Sequence, residues 1–316
     1  MRAFINDLTT VAEIPLPLPL PSHAGLSWIH LDGQNEADVN WLAAESGLPP
    51  VALNALKALE TRPRSDMVDG GALINMRGLA VNPDDGPDPL VSVRFWAAKG
   101  LVISFAYRAP EALGPVIGRF MDGNINDPGD LITAFATAMS KALDIRVGDL
   151  GDQLDEIEER LEAERARSTR RKVSAIRAMA ISYRRFVVPQ REALDRLSTT
   201  QCDWLDEEDH LHIREAADRY ARMAEELEAV RERSAVVHDE LTDLRGEQME
   251  GRSLLISIVA LIFLPLTFVT GLLGMNVKGI PYAEEIWAFW GVVGICFLIG
   301  VVVLGIFIRA QWVRGR

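Results

Sequence analysis

The sequence has few of the features that secreted or nucleic-acid-binding proteins need. Its 316 residues include two cysteines, Cys202 and Cys296. Two cysteines give no disulfide framework and indicate a reducing compartment. Met1 to Thr10 has no basic start followed by an apolar stretch, so we expect no secretory signal. The formal net charge is -12, whereas nucleic-acid binders need a basic footprint, so we expect no nucleic-acid partner.

Catalytic signatures are missing as well. We find no nucleophile elbow, phosphate-binding loop, HExxH motif or paired-cysteine motif in the chain. The sequence therefore predicts no enzymatic activity and no bound cofactor.

Two long uncharged runs are present near the C-terminus. Leu254 to Leu273 and Ile286 to Ile308 each contain about 20 residues, the length that crosses a bilayer. Arginines flank the pair on both sides: Arg245, Arg252, Arg309, Arg314 and Arg316. The connection between the runs carries only Lys278 against Glu284 and Glu285. The positive-inside rule then predicts a multi-pass protein of the cell (inner) membrane with both termini in the cytosol.

The first span has a distinctive stripe at helical spacing. As a group, its residues are smaller and more polar than the Leu, Ile and Phe residues that make up the rest of the span. They are Ser253, Ser257, Ala260, Leu264, Thr267, Gly271 and Gly274. Two spans cannot enclose a polar path, so transport would require several copies around an axis. Such a stripe fits pore lining, but small and hydroxyl residues also mark ordinary helix packing in membranes, and both readings stay open.

A short motif closes the first span. Gly274-Met275-Asn276 follows the run Phe263 to Phe268, and the combination with two C-terminal spans and a long preceding helix resembles the CorA family of divalent-cation transporters. Val277 to Pro281 is similar to the zinc-transporting, ZntB-type branch. Lys278 departs from that branch, and Met275 is the residue of magnesium-type members, so a Mg²⁺, Co²⁺ or Ni²⁺ channel is the alternative.

The fold class that we predict is an α+β/α membrane protein. It would have an N-terminal cytosolic α/β domain, a long helical stalk and two C-terminal transmembrane helices. The predicted segments are 1–143 (α/β domain), 144–205 (charged helical hairpin), 206–253 (stalk), 254–273 (first span), 274–285 (outer loop), 286–308 (second span) and 309–316 (basic tail). Strands are expected at 27–31, 72–81, 90–98 and 101–107, in a largely antiparallel sheet, and helices at 35–46, 51–59, 111–121 and 130–143. The resemblance implies an α/β/α wall and a homopentameric funnel.

The stalk combines a strong charge with an apolar seam. Between Asp206 and Glu250 fifteen acids face six arginines, an excess of nine negative charges that would concentrate cations near the membrane. Apolar residues recur at spacings of three and four, which is typical of helices packed around an axis. They are Ile213, Ala217, Tyr220, Ala224, Leu227, Val230, Val237, Leu241 and Leu244.

One cytosolic cluster suggests a metal site. Its residues are Cys202, Asp206, Glu208, Asp209, His210 and His212. Cysteine and histidine suit zinc, so Cys202, Asp206, His210 and His212 are the candidate ligands. His210 and His212, however, are two residues apart and lie on different sides of a helix. An acidic helix start that complements the macrodipole explains the carboxylates without metal.

The resemblance also implies roles for the hairpin residues. Gly274, Met275 and Asn276 would form the outer entrance, with a ring of Asn276 amides holding the water shell of the ion. Leu264 would form an apolar constriction, and Lys278, Glu284 and Glu285 would set the loop charge. The predicted function is divalent-cation transport, with Zn²⁺ favoured and coupling to a proton gradient left open. The predicted partners are further copies of the chain, the lipid bilayer and the cations. A membrane-anchored scaffold is the alternative without transport.

Overall fold

The computed structural model describes residues 1–6, 11–14, 25–44, 46–59, 62–68, 70–82, 88–161, 166–275, 280 and 285–314. Its elements are β1 (Arg2–Asn6), β2 (Val11–Ile14), β3 (Leu26–Asp32), α1 (Glu36–Ala44), α2 (Pro50–Lys57), β4 (Arg64–Val68), β5 (Gly71–Leu79), β6 (Leu90–Ala98), β7 (Leu101–Ala106), α3 (Leu113–Met121), α4 (Pro128–Glu159), α5 (Ala166–Leu197), α6 (Glu207–Leu273) and α7 (Ile286–Arg314). The chain divides into two compact units, Met1–Leu161 with Arg167–His238, and Glu162–Ala166 with Asp239–Arg316.

The first unit contains a seven-stranded sheet in the order β2-β1-β3-β7-β6-β5-β4. Every neighbouring pair is antiparallel except β3 and β7. The central strands are buried along nearly their whole length, as expected when helices cover both faces of a sheet. The predicted, largely antiparallel sheet is confirmed.

Helices pack on both faces of this sheet. On one face, Trp41 of α1 and Leu56 of α2 belong to the same buried cluster as Phe105 of β7. On the other face, Phe135 of α4 meets Trp28 of β3 edge-on, with ring centroids 5.7 Å apart. The unit is therefore built of α, β and α layers, because alternate side chains of each strand point to opposite faces.

Several boundaries differ from the sequence-based expectation. The strands β1, β2 and β4 were not expected. Both β2 and β4 are edge strands with only partly buried side chains, so their apolar signal is weak. The helix expected to end at Leu143 continues to Glu159. The boundary between 143 and 144 therefore falls inside α4, because Gly148 and Gly151 alone do not break a helix whose other residues favour it.

The helices α4 and α5 each pack against α6 in the first unit. Arg233 of α6 pairs with Asp155 and Glu158 of α4, and Arg184 of α5 pairs with Glu228 of α6 at 2.9 Å. The stalk seam is buried by this packing from Ile213 to Val237; Ile213, Ala217, Tyr220, Leu227, Val230 and Val237 are all at most 2% exposed. These seam residues therefore form a core within one chain, and the expectation that they pack around an axis between chains is corrected.

The second unit contains the two apolar helices. The apolar part of α6 has a mean hydropathy of 2.5 and the span Ile286–Phe307 of α7 has 2.7, and both are long enough to cross a membrane. Their large apolar side chains are exposed in the isolated chain, from 36% at Leu273 to 89% at Ile286. Apolar side chains uncovered to this extent are expected where lipid or further copies cover them.

Candidate functional site

The first span has two distinct faces in the structure. One face is half-buried within the chain and consists of Ile258, Ile262, Pro265, Leu266 and Val269. The predicted stripe lies on the opposite side of the helix, since its residues are about 180° away at 100° per residue. All of its members, Ser253, Ser257, Ala260, Leu264, Thr267, Gly271 and Gly274, are exposed. Phe263 and Phe268, which lie outside the stripe, are exposed too, so the stripe is one part of the wide surface that the chain leaves uncovered.

Two hydroxyl groups of this span are satisfied by their own helix. The Ser257 hydroxyl donates to the Ser253 carbonyl at 2.9 Å, and the Thr270 hydroxyl donates to the Leu266 carbonyl at 2.9 Å. Such bonds remove the penalty of an unpaired donor in an apolar medium and leave oxygen lone pairs for other groups. Leu264 is the most exposed large apolar residue of the span, at 75%.

Pro265 lies in the middle of the span, on the half-buried face. Because proline has no backbone N–H, the Leu261 carbonyl one turn earlier loses its helical partner. A free carbonyl at membrane depth is tolerated where protein or water can satisfy it. The span therefore carries one backbone acceptor that another group has to serve.

Gly274 is required by the way the first span ends. Its backbone N–H donates to the Thr270 carbonyl at 2.9 Å, and a Cβ added at Gly274 would lie 2.9 Å from that same oxygen. This distance is shorter than real Cβ atoms show, so any side chain would displace the turn. Met275, the next residue, is 48% exposed.

The remaining predicted entrance and loop residues are only partly covered by the structure. Asn276, Lys278 and Glu284 lie outside the described residues. Glu285 precedes α7, and its carbonyl accepts from the Ala288 N–H at 3.1 Å. The roles of these residues stay predictions.

The predicted cytosolic metal cluster does not converge in the structure. Asp206 Oδ1 accepts from the Asp209 N–H at 2.9 Å, so it caps α6. His212 lies on the exposed side of α6, with Nδ1 3.3 Å from Glu215 and Nε2 3.6 Å from Glu208. The half-buried Cys202 thiol has a pKa raised by burial. Among the described residues, no group of mutually close ligand atoms combines Cys202, Asp206, His210 and His212.

A different cluster of carboxylates comes together at the starts of α4 and α6. Oxygens of Asp127, Asp130 and Asp209 lie within 4.8 Å of one another. Asp127 caps α4 by accepting from the Asp130 N–H at 2.9 Å. A Cβ added at Gly129 would lie 1.8 Å from Asp209 Oδ2, so only glycine allows this approach. An all-oxygen set suits hard divalent cations better than zinc.

Burial and like charge raise the pKa values of carboxyl groups in this cluster. Burial raises the pKa of Asp209 to about 7, and the charges of Asp127, Asp206 and Asp130 add to the rise, while the Asp206 backbone N–H opposes it. Burial also raises the pKa of Asp127. The sequence does contain a signal for this arrangement. Asp127-Pro-Gly-Asp130 and Asp206-Glu-Glu-Asp209 are two Asp-x-x-Asp pairs, each a capping-box pattern at a helix start.

Comparison with known proteins adds to this geometry. Residues 23–309 match the family model described as "CorA-like Mg2+ transporter protein". The chain belongs to the CorA family. This assignment rests on a match that covers strands β3 to β7, the long helix and both apolar segments.

Individual CorA-family relatives match over most of their length. The zinc transport protein ZntB of Pectobacterium carotovorum subsp. carotovorum (strain PC1) is 32% identical over 288 residues, which cover 91% of this chain and 86% of the relative. The divalent cation transporter CmaX of Pseudomonas aeruginosa is 34% identical over 294 residues, 90% of this chain and 87% of the relative. The solved full-length CmaX structure superposes with a TM-score of 0.79 at 28% identity, covering 99% of this chain and 98% of that one.

Proposed function

We propose that this CorA-family chain transports divalent cations across the cell (inner) membrane, with Zn²⁺ favoured. The observation that carries the proposal is the uncovered stripe of the first span, which ends at Gly274-Met275 in a chain 32% identical to a zinc transport protein. The stripe has the small and polar character that a pore wall requires, and its own chain leaves it free.

The path would be formed by several copies. In the proposed assembly, a homopentamer by family resemblance, the first spans surround an axis and Leu264 narrows the pore. An apolar ring of this kind gates by excluding water until it widens. Asn276 amides at the outer end would hold a hydrated ion, which suits small divalent cations because they give up water reluctantly. Both termini would be cytosolic by the distribution of arginines.

Some observations favour zinc as the transported ion, and others favour magnesium. The ZntB relatives favour zinc, whereas the family model and Met275 favour a channel for Mg²⁺, Co²⁺ or Ni²⁺. Neither apolar segment contains a carboxylate. A transport step that depends on a carboxylate in mid-membrane is therefore excluded, and proton coupling would have to act on groups outside the spans.

The test is metal-resolved uptake into vesicles that contain the purified chain. Vesicles are loaded with a metal-sensitive dye and offered Zn²⁺, Mg²⁺, Co²⁺ or Ni²⁺, with and without an inward proton gradient. We expect the fastest uptake for Zn²⁺. Equal or faster Mg²⁺ uptake would favour the CorA-type alternative, and no uptake of any metal would favour a scaffold.

The matched control is Asn276→Ala in the same vesicles. This variant should remain oligomeric and lose uptake, so that leakage of the vesicles themselves is excluded. A proton gradient that changes Zn²⁺ uptake in the wild type but not the residual uptake of the variant would support coupling.

A further inference from the structure

Two helices of the first unit that follow one another in the sequence carry opposite net charge. Helix α4 has eight acidic and two basic residues, an excess of six negative charges. Helix α5 has nine basic and two acidic residues, an excess of seven positive charges. Ion pairs between the two would neutralise both. Among the described residues, however, no ion pair joins α4 to α5.

The basic face of α5 remains unpaired after the contacts within the chain are made. Arg184 pairs with Glu228, Arg191 with Asp195, and Arg196 with Asp66. The unpaired basic face consists of Arg171, Arg177 and Arg185, which are exposed and make no ion pair with any residue that the structure describes. Exposed Ala178 and Ile181 lie between these arginines on the same side of the helix.

An acidic surface, which we call the acidic groove, is formed by exposed residues of α4 and α6. We define it by Asp144 and Asp152 of α4 and Glu226 of α6. Glu226 lies beside α4, since a Cβ built at Gly151 would be 3.6 Å from Glu226 Oε1. Burial raises the pKa of Glu226, and the charges of Asp144 and Asp152 raise it further. Arg222, one turn before Glu226, makes no ion pair with described residues.

The basic face and the acidic groove of one chain cannot neutralise each other. Glu226 faces α4, whereas Glu228 pairs with α5. Residues two apart on a helix point about 200° apart, so α4 and α5 contact different sides of α6. One side of the unit thus presents carboxylates that make no ion pair with a described residue, and another side presents guanidinium groups that make none.

We propose that the basic face of α5 in one copy docks onto the acidic groove of α4 and α6 in the next copy. The partner is a second copy because every copy carries both patches, so one repeated contact gives each patch a counter-charge. Two different patches meet in this contact, so it is head-to-tail and cannot give a twofold dimer; it gives a ring where the rotation between copies closes. The proposal rests on the self-association in the proposed function and is independent of transport.

Charge reversal tests the contact. Arg177→Glu with Arg185→Glu is compared with Asp144→Arg with Asp152→Arg, and with all four changes together, in the detergent-solubilised full chain. We expect each pair to raise the dissociation constant of the oligomer at least tenfold and the combination to restore most of it. Arg119→Glu, an exposed site on α3, is the matched control and should change nothing. The proposal would be overturned if the four changes together weakened the oligomer by the sum of the losses in the two double variants. It would also be overturned if neither double variant weakened the oligomer.

Cross-linking tests the head-to-tail geometry without relying on affinity. In a background with Cys202→Ser and Cys296→Ala, Ala178→Cys is placed on α5 and Gly148→Cys on α4, where an added Cβ meets nothing within 4 Å. A short bifunctional maleimide should link a mixture of the two single variants and should link neither variant to itself. Linkage within either single variant, or no linkage in the mixture, would contradict the proposed contact. Because neither assay measures uptake, a failure of transport leaves both results interpretable.

Discussion

The two units place the same kinds of side chain in opposite surroundings. Phe135 of α4 is fully buried between Trp28 and Phe95, whereas Phe268 of the first span is 69% exposed. The first unit buries its aromatic residues because water drives apolar surface together. The second unit leaves them uncovered because lipid is as apolar as the side chains and exerts no such force.

This difference decides where stability and function reside. In the first unit, side-chain packing within one chain fixes the sheet and the three long helices. In the second unit, the single chain leaves the stripe exposed, and the role that we propose for it requires several copies. The comparison predicts that equivalent substitutions in the two units will have different consequences.

The largest effect is expected for Phe135→Ala. Removing a buried phenylalanine leaves a cavity and should lower the free energy of unfolding by about 3 to 5 kcal/mol. The matched change Phe268→Ala in the span should lower it by less than about 1 kcal/mol, because an exposed side chain leaves no cavity. Urea unfolding of the detergent-solubilised chain, followed by near-ultraviolet circular dichroism, measures both. Equal losses would show that the span is packed like the sheet.

The next effect concerns the entrance. Asn276→Ala should reduce the initial rate of uptake at least tenfold, because the proposed pore would lose the amide ring that holds the hydrated ion. Asn276→Gln keeps an amide and should retain part of the rate. Oligomer size by light scattering should be unchanged in both. Wild-type uptake by Asn276→Ala would remove the entrance role.

Leu264→Asn separates pore lining from packing. If the stripe lines the pore, an amide at this position wets the constriction and should raise ion leak several-fold in an intact oligomer. If Leu264 packs against a neighbouring helix, the same change should weaken the oligomer and cause no leak.

Phe263→Asn is the control for this test. Phe263 lies about 100° from Leu264 around the helix and is 61% exposed. We expect it to impair insertion or assembly without leak. Leak in Phe263→Asn and none in Leu264→Asn would mean that another face of the span lines the pore.

The smallest effect is a pH dependence in the first unit. The pKa of Asp209 is raised from its ordinary value of 3.8 to about 7. The folded chain therefore holds a proton that the unfolded chain releases between these values, and its stability should fall as the pH rises from about 4 to about 7.

Asp209→Asn should remove this dependence. Its advantage over the wild type should grow with pH and reach about 1 kcal/mol at pH 8, after allowance for solvent screening. Thermal unfolding of both proteins at pH 5, 6, 7 and 8 measures the difference. A constant difference across these pH values would show that Asp209 ionises normally in the folded chain.

The sequence predicted most elements whose signal is local. Strand β6 was expected at Leu90–Ala98 and is found there. Both spans were predicted from length and composition, since a bilayer requires a continuous apolar run. The edge strands β2 and β4 were missed because partial burial gives them no clear alternation. The stalk seam was recognised as a packing surface, but periodicity does not say whether the surface meets its own chain or another.

The sequence by itself therefore determined the two spans, the Gly274-Met275-Asn276 motif and the charge of each helix. Each of these properties is set by residues that are close together in the sequence, and the spans also by the requirement that a bilayer places on their length and composition. Only the tertiary structure brought Asp127 and Asp209 together from distant parts of the chain and placed α4 and α5 on different sides of α6. The physical reason is that the side of a helix that meets a given neighbour depends on which partners bury its apolar face, and those partners are remote in sequence.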